Sequence, residues 1–170
     1  MELGLFMRDF LIHPTELASW YALINEASTY KNLHLSLEIE SYLVYLLMKF
    51  YDKPDLAGEV IGLEFLKSLQ SIQFKPYQLK EVGDKCLIHA GLFPEQTKKR
   101  RVNTDYYIKL GKTAYLTLAE VTETNDQILF NTLCDRFIPM MEILNATRDI
   151  ASHIEPFEGD NRLNPSSETH

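Results

Sequence analysis

The sequence predicts an all-α protein, a single helical-bundle-like domain of about six or seven helices. Apolar residues recur at helical spacings of three and four over most of the chain. No long β-branched run alternates with polar residues, and no Asn-Gly or Asp-Gly turn marks a hairpin. The length of 170 residues suits one domain, which we place at residues 1–154. Residues 155–170 are predicted to form a polar C-terminal tail.

The composition points to a cytoplasmic protein without a membrane segment. Apolar residues make up 45% of the chain, too many for an intrinsically disordered protein. Two cysteines, Cys86 and Cys134, are too few for the disulfide framework of a small secreted domain. The N-terminal residues lack the basic region and cleavage site of a signal peptide. The longest strongly apolar run, Tyr42 to Met48, is far shorter than the ~20 residues of a membrane span.

The first two long helices are predicted from their apolar stripes. Pro14 suits the first turn of a helix whose inner face includes Leu17 and Trp20. Ser36 is placed to cap a second helix over 36–51, because its hydroxyl can accept a hydrogen bond from a first-turn amide. Apolar residues occupy most sides of this second helix, which predicts a central position in the domain.

Two further helices are predicted in the middle of the chain. Residues 55–72 carry Gly58 and Gly62 four positions apart, a spacing that lets a neighbouring helix approach closely. Residues 77–92 form the next predicted helix, and Gly91 is placed as its C-cap.

The last two helices are predicted after residue 103. Thr104 with Asp105 opens the first of them, supplying a cap oxygen and an anion at the positive end of the helix dipole. The second starts at Asn125. Pro139 is expected to kink it, because proline lacks an amide and clashes with the preceding turn.

The net charge of −7 hides an uneven distribution. Residues 75–112 hold 9 basic and 4 acidic side chains. Residues 1–74 hold 5 basic and 10 acidic ones, and residues 113–170 hold 3 basic and 10 acidic ones. An otherwise acidic protein therefore carries one basic block, and an asymmetry of this kind bears on partners rather than on the fold.

The basic block contains the candidate binding surface, which we refer to as the basic face. It consists of Lys98, Lys99, Arg100, Arg101, Tyr106 and Lys109. Cations beside a helix N-terminus favour an anion, because amide and side-chain donors then point at the same space. Tyrosines beside cations also suit single-stranded nucleic acid, but the acidic segments on both sides would repel a phosphate chain. A small anion or an acidic protein surface is the better match, and that surface could belong to a second copy of this chain.

A second hypothesis is a small-molecule or cofactor pocket, which would make the protein an enzyme candidate. The pocket residues would be His89, Tyr107 and Tyr115. Cys86 and His89 have a spacing that a zinc site can use, but no complete ligand set accompanies them.

No catalytic motif supports an enzymatic function. The sequence has no Gly-x-Gly-x-x-Gly, P-loop, Gly-x-Ser-x-Gly or His-Glu-x-x-His. His13 or His34 could act as an axial haem ligand, although each such element is common on its own. We therefore assign no catalytic residue, metal site or cofactor from the sequence. The sequence favours a non-enzymatic protein over an enzyme.

The segment around the basic face resembles a group of uncharacterised bacterial all-helical proteins. The resemblance rests on Gly83 to Glu95, on Arg100-Arg101-Val102 and on Tyr106 to Tyr115. These follow a shared pattern of Leu-Gly-Asp, a Gly-Leu/Phe-Phe-Pro turn, paired arginines and a Tyr-rich helix ending in Ala-Tyr. It covers about 35 residues, and this chain has Val82 where the pattern usually has leucine. The resemblance implies a bacterial cytosolic all-α protein and no particular reaction.

The residues together predict a non-catalytic interaction or regulatory module, expected to form a homodimer. Its basic face would bind an acidic partner or a small anion. A pocket protein and a single-stranded nucleic-acid-binding protein remain the two alternatives.

Overall fold

The computed structural model describes residues 15–50, 70, 75–94 and 103–153, and within these ranges it confirms the all-α class. The described residues form six helices. They are α1 (Glu16–Lys31), α2 (Leu37–Phe50), α3 (Pro76–Leu92), α4 (Thr104–Val121), α5 (Asn125–Asp135) and α6 (Phe137–His153). The helix predicted over 55–72 and the tail predicted over 155–170 lie outside the described residues.

The most deeply buried described helix is α3, which packs against α4 and α6. Every residue from Val82 to Leu92 is buried, including three polar side chains. The sequence predicted the central position for the helix at 36–51 instead. That helix, α2, exposes Tyr45 and Met48, so one of its apolar sides faces outward.

The helices α3 and α4 form a close antiparallel pair. Read along α3, the contacting residues of α4 descend in number: Gly83 meets Tyr115, Cys86 meets Gly111 and His89 meets Tyr107. Two of these contacts use a glycine, whose missing side chain leaves room for an aromatic ring from a neighbouring helix. The pairing fixes which side of α4 faces the core.

The N-terminal helix α1 packs against α2 and α6. Trp20 and Ile24 are buried in the core, as the apolar stripe predicted. Leu17 is half-exposed, so the inner face of α1 begins one turn later than the sequence suggested. Between the two helices, the Tyr21 hydroxyl donates a hydrogen bond to Ser41 Oγ at 2.7 Å.

Three helix ends differ from the prediction, whereas the predicted Ser36 cap of α2 is present. Helix α1 begins at Glu16 with Thr15 as its N-cap, so its first turn starts after Pro14. Asn103 caps α4 in place of Thr104, because its side chain accepts a hydrogen bond from the Asp105 amide at 3.2 Å. Gly91 lies inside α3 and packs against α6, and the C-cap is Phe93.

The last predicted helix is broken rather than kinked. Helix α5 ends at Asp135, and α6 begins at Phe137 after the single residue Arg136. Pro139 therefore falls in the first turn of α6, where the backbone N–H that proline lacks would have no intrahelical partner.

Candidate functional site

Two of the six residues of the basic face lie in the described part of the chain. Tyr106 and Lys109 are both exposed on α4, three residues apart. The run from Lys98 to Arg101 lies outside the described residues. Both side chains lie on the side of α4 opposite its contact with α3, because Tyr107 and Gly111 occupy that contact.

Lys109 makes no ion pair with any described carboxylate, in contrast to Lys49 and Lys80. Lys112 is half-buried one turn further along α4 and lies within electrostatic reach of Cys134. Burial raises the pKa of the Cys134 thiol, and the positive charge of Lys112 partly offsets this rise. The N-terminal half of α4 therefore carries two lysines, Lys109 and Lys112, against one carboxylate, Asp105.

Two of the three pocket candidates, His89 and Tyr107, are in direct contact. Their rings stack with centroids 5.2 Å apart and planes 10° apart. His89 is 2% exposed and Tyr107 5%, so the stack belongs to the buried contact between α3 and α4. The ring of Tyr106 packs edge-on against Tyr107 at 5.5 Å, which joins the basic face to this stack.

The third pocket candidate, Tyr115, lies elsewhere. Eight residues separate it from Tyr107, a rise of about 12 Å along α4. Its ring covers Gly83, and its hydroxyl donates a hydrogen bond to Asp84 Oδ1 at 2.8 Å. The structure thus divides the three pocket candidates between two places.

A buried carboxylate that the sequence analysis did not single out forms a second polar site. Asp84 of α3 is fully buried. Its Oδ1 accepts hydrogen bonds from the hydroxyls of Tyr42 at 2.5 Å and Tyr115 at 2.8 Å. Its Oδ2 accepts from Lys80 Nζ at 2.8 Å and lies 4.0 Å from Lys49 Nζ. We refer to these five residues as the Asp84 cluster.

The lysines of the Asp84 cluster lie at its solvent boundary. The Lys80 side chain is 29% exposed, and its ammonium lies over the rings of Tyr42 at 5.1 Å and Tyr45 at 5.5 Å. Lys49 also lies 3.8 Å from Glu81. The carboxylate already has three hydrogen-bond donors and a second cation nearby, so the cluster ties α2, α3 and α4 together.

The two tyrosines of the cluster are held in their neutral form. Burial raises the pKa of Tyr42 and of Tyr115 well above the usual value of 10.0. The negative charge of Asp84 raises both pKa values further, because it opposes a second negative charge at hydrogen-bond distance. Both hydroxyls therefore remain donors to the carboxylate.

We expect the protein to lose stability as the pH rises above about 10. In the unfolded chain Tyr42 and Tyr115 release their protons near their usual pKa, whereas the folded state retains them. The folded state then binds more protons, so the free energy of unfolding falls by up to about 1.4 kcal/mol per pH unit for each tyrosine. Urea denaturation across the alkaline range measures this slope. The double variant Tyr42→Phe/Tyr115→Phe should give a flatter profile, and an unchanged slope would assign the loss to other groups.

The sequence contains a signal for the Asp84 cluster. Asp84, Lys85 and His89 are isolated among apolar and small residues between Val82 and Leu92. A carboxylate inside a mostly apolar stretch is expected to be at least partly buried, and a buried charge needs partners. The nature of those partners depends on the neighbouring helices.

Within the described residues, no three His, Cys, Asp or Glu side chains are arranged to hold a metal ion. Cys86 and Cys134 are both free thiols.

None of the described helices is long and apolar enough to cross a membrane. Comparison of the chain with protein-family models, curated proteins and solved structures finds no match. What the protein does is therefore inferred from its own residues.

Proposed function

We propose that this chain is a non-catalytic interaction or regulatory module that binds an acidic partner or a small anion through its basic face. The observation that supports this proposal is the outer side of α4, where Lys109 is exposed and makes no ion pair with a described residue. The sequence adds four consecutive cations, Lys98 to Arg101, a few residues before the helix. The location that we propose is the bacterial cytoplasm.

The anchoring of α4 supports a binding role for its outer side. Tyr107 stacks on His89 of α3, and Gly111 sits directly against Cys86 and Phe137. A helix fixed in this way presents Tyr106 and Lys109 at defined positions. Less conformational entropy is lost on binding when the binding groups are already held in place.

The two alternative functions have weaker support. A pocket around His89 would require the buried stack with Tyr107 to open, and Tyr115 is about 12 Å further along the helix. A nucleic acid on α4 would meet the exposed carboxylates of Glu120 and Glu123 at the other end of that helix.

Binding to polyglutamate and to inorganic phosphate tests the proposal, because these probes represent an acidic protein surface and a small anion. Isothermal titration calorimetry at low salt measures both. Arg100→Glu and Lys109→Glu are each expected to weaken the binding of whichever probe binds by about tenfold, since each replaces an attraction with a repulsion. Raising the salt concentration should weaken the wild-type interaction as well.

Lys31→Glu on α1 is the matched control, because it changes the net charge equally at an exposed lysine away from α4. It should leave the affinity unchanged. If Lys31→Glu weakens probe binding as much as Lys109→Glu does, the loss of affinity follows from net charge alone and not from the basic face. Failure of both probes to bind at low salt would contradict the proposal, and tighter binding of a single-stranded oligonucleotide would replace it with the nucleic-acid alternative.

A further inference from the structure

The outer side of α4 carries one continuous stripe of exposed residues. The stripe consists of Tyr106, Lys109, Thr113, Leu116 and Glu120. They recur at intervals of three and four residues and therefore lie along one line of the helix. We refer to this line as the α4 stripe, and it runs opposite the side that packs against α3.

The charges of the α4 stripe are separated along the helix. Lys109 lies in the N-terminal half and Glu120 near the C-terminal end, with Leu116 between them. Eleven residues of helix place the lysine and the glutamate about 16 Å apart, so they cannot pair within one molecule. Neither forms an ion pair with any other residue that the structure describes.

A two-fold rotation brings the opposite ends of two such stripes together. When α4 of one copy lies antiparallel to α4 of another, Lys109 can oppose Glu120 of the second copy. The same operation opposes Glu120 to Lys109, so the pair forms twice. In this register Thr113 and Leu116 face each other across the axis, where the small threonine leaves room for the leucine.

We propose that the acidic partner of the basic face is a second copy of this chain, held by antiparallel packing of the two α4 stripes. This inference rests on the proposed function, because it names the partner of the same surface. Charge complementarity favours a second copy, since the antiparallel arrangement sets Lys109 of each chain beside Glu120 of the other.

Apolar surface along the stripe supports the same occupant. Leu116 and Tyr106 are each 45% exposed, and Val121 beside the end of the stripe is 49% exposed. Their burial in the dimer would remove apolar area from water, which favours association.

Sedimentation equilibrium of the full chain tests the inference through a charge exchange. Lys109→Glu and Glu120→Lys are each expected to weaken the dimer by about tenfold or more, because each removes two symmetric pairs. The double variant Lys109→Glu/Glu120→Lys restores both pairs with their charges exchanged. Its dissociation constant is expected to return to within about threefold of the wild-type value.

Two substitutions on α1 serve as matched controls. Lys31→Glu and Glu26→Lys change the net charge by the same amounts at exposed positions away from the stripe, and neither should weaken the dimer. Glu120→Lys is especially informative, since it makes an acidic chain less negative and so reduces the general repulsion between copies. Circular dichroism verifies that each variant is folded, and the salt dependence of the wild-type dimer gives a second readout.

Several outcomes would overturn the inference. They are a wild-type chain that is monomeric up to about 1 mM, single variants that dimerise like the wild type, and a double variant no tighter than the singles. If the chain is monomeric while polyglutamate binding still depends on Arg100 and Lys109, the inference fails and the proposed function stands. If the charge exchange rescues the dimer but neither polyglutamate nor phosphate binds, the general binding role of the basic face fails and the pairing of the two α4 stripes stands on its own.

Discussion

Replacement of Asp84 by alanine is expected to lower the free energy of unfolding by about 3–5 kcal/mol. The carboxylate is fully buried and accepts hydrogen bonds from Tyr42, Tyr115 and Lys80. Without it, two buried hydroxyls lose their acceptor and an ammonium loses its counter-ion, and each unsatisfied buried group costs about 1–3 kcal/mol. Urea denaturation near neutral pH measures the change.

Variants of graded severity separate the contributions to this loss. Asp84→Asn keeps an oxygen for the tyrosines but removes the charge that pairs with Lys80, so a smaller loss of about 2 kcal/mol is expected. Tyr42→Phe and Tyr115→Phe each remove one donor and should cost about 1 kcal/mol. Glu26→Ala, at an exposed position on α1, should stay within about 0.5 kcal/mol of the wild type.

A small effect would contradict the structural role of the Asp84 cluster. If Asp84→Ala stays within about 1 kcal/mol of the wild type, the hydroxyls of Tyr42 and Tyr115 must find other acceptors. That result would also mean that these hydrogen bonds do not hold α2, α3 and α4 together. The alkaline loss of stability would persist in such a protein, because burial of the tyrosines is the largest cause of their raised pKa values.

The fold class could be predicted from the sequence because helical periodicity is a local property of the chain. The stripe of α2, its Ser36 cap and the outward direction of Tyr106 and Lys109 all follow from the spacing of residues within one helix. None of these features depends on which helix lies alongside. Predictions of this kind, which concern a single helix, therefore agree best with the structure.

Features that depend on two or more helices could not be predicted in the same way. The partners of Asp84 come from α2 and α4 as well as from α3, and no spacing within one helix encodes their meeting. Gly91 was predicted as a C-cap from its position in the chain, but the approach of α6 gives it a packing role inside α3. Which helix is most buried also depends on the neighbouring helices. The sequence of α3 is less continuously apolar than that of α2, yet α3 is the more deeply buried of the two.

The division of the pocket candidates could have been predicted from helix geometry alone. His89 and Tyr107 meet because α3 and α4 run antiparallel, which the sequence does not reveal. Tyr115, however, follows Tyr107 by eight residues of one predicted helix, and the rise per residue already separates them by about 12 Å. A single small pocket is hard to reconcile with that distance.

Gly111→Ala is expected to lower the free energy of unfolding by about 2 kcal/mol, against the usual preference of a helix. A Cβ atom at this position would lie 2.5 Å from Phe137 Cε2 and 2.9 Å from Cys86 Cβ. Phe137 is fully buried, and the Cβ of Cys86 is fixed to the backbone of α3, so neither can move aside freely. Where space allows, alanine in place of glycine stabilises a helix by about 1 kcal/mol. Urea denaturation shows whether Gly111→Ala lowers or raises the free energy of unfolding. The sign of that change tests how closely α3, α4 and α6 approach one another.

The double variant Gly111→Ala/Phe137→Leu identifies which neighbour causes the clash. Leucine lacks the ring atoms nearest the added Cβ, so the combined loss should be smaller than the sum of the single losses by about 1 kcal/mol. The rescue should be incomplete, because the contact with Cys86 remains. A Gly111→Ala protein as stable as the wild type would mean that α4 can move outward at little cost. Tyr106 and Lys109 would then lie on a mobile helix, and the rigid presentation on which the proposed binding role depends would be lost.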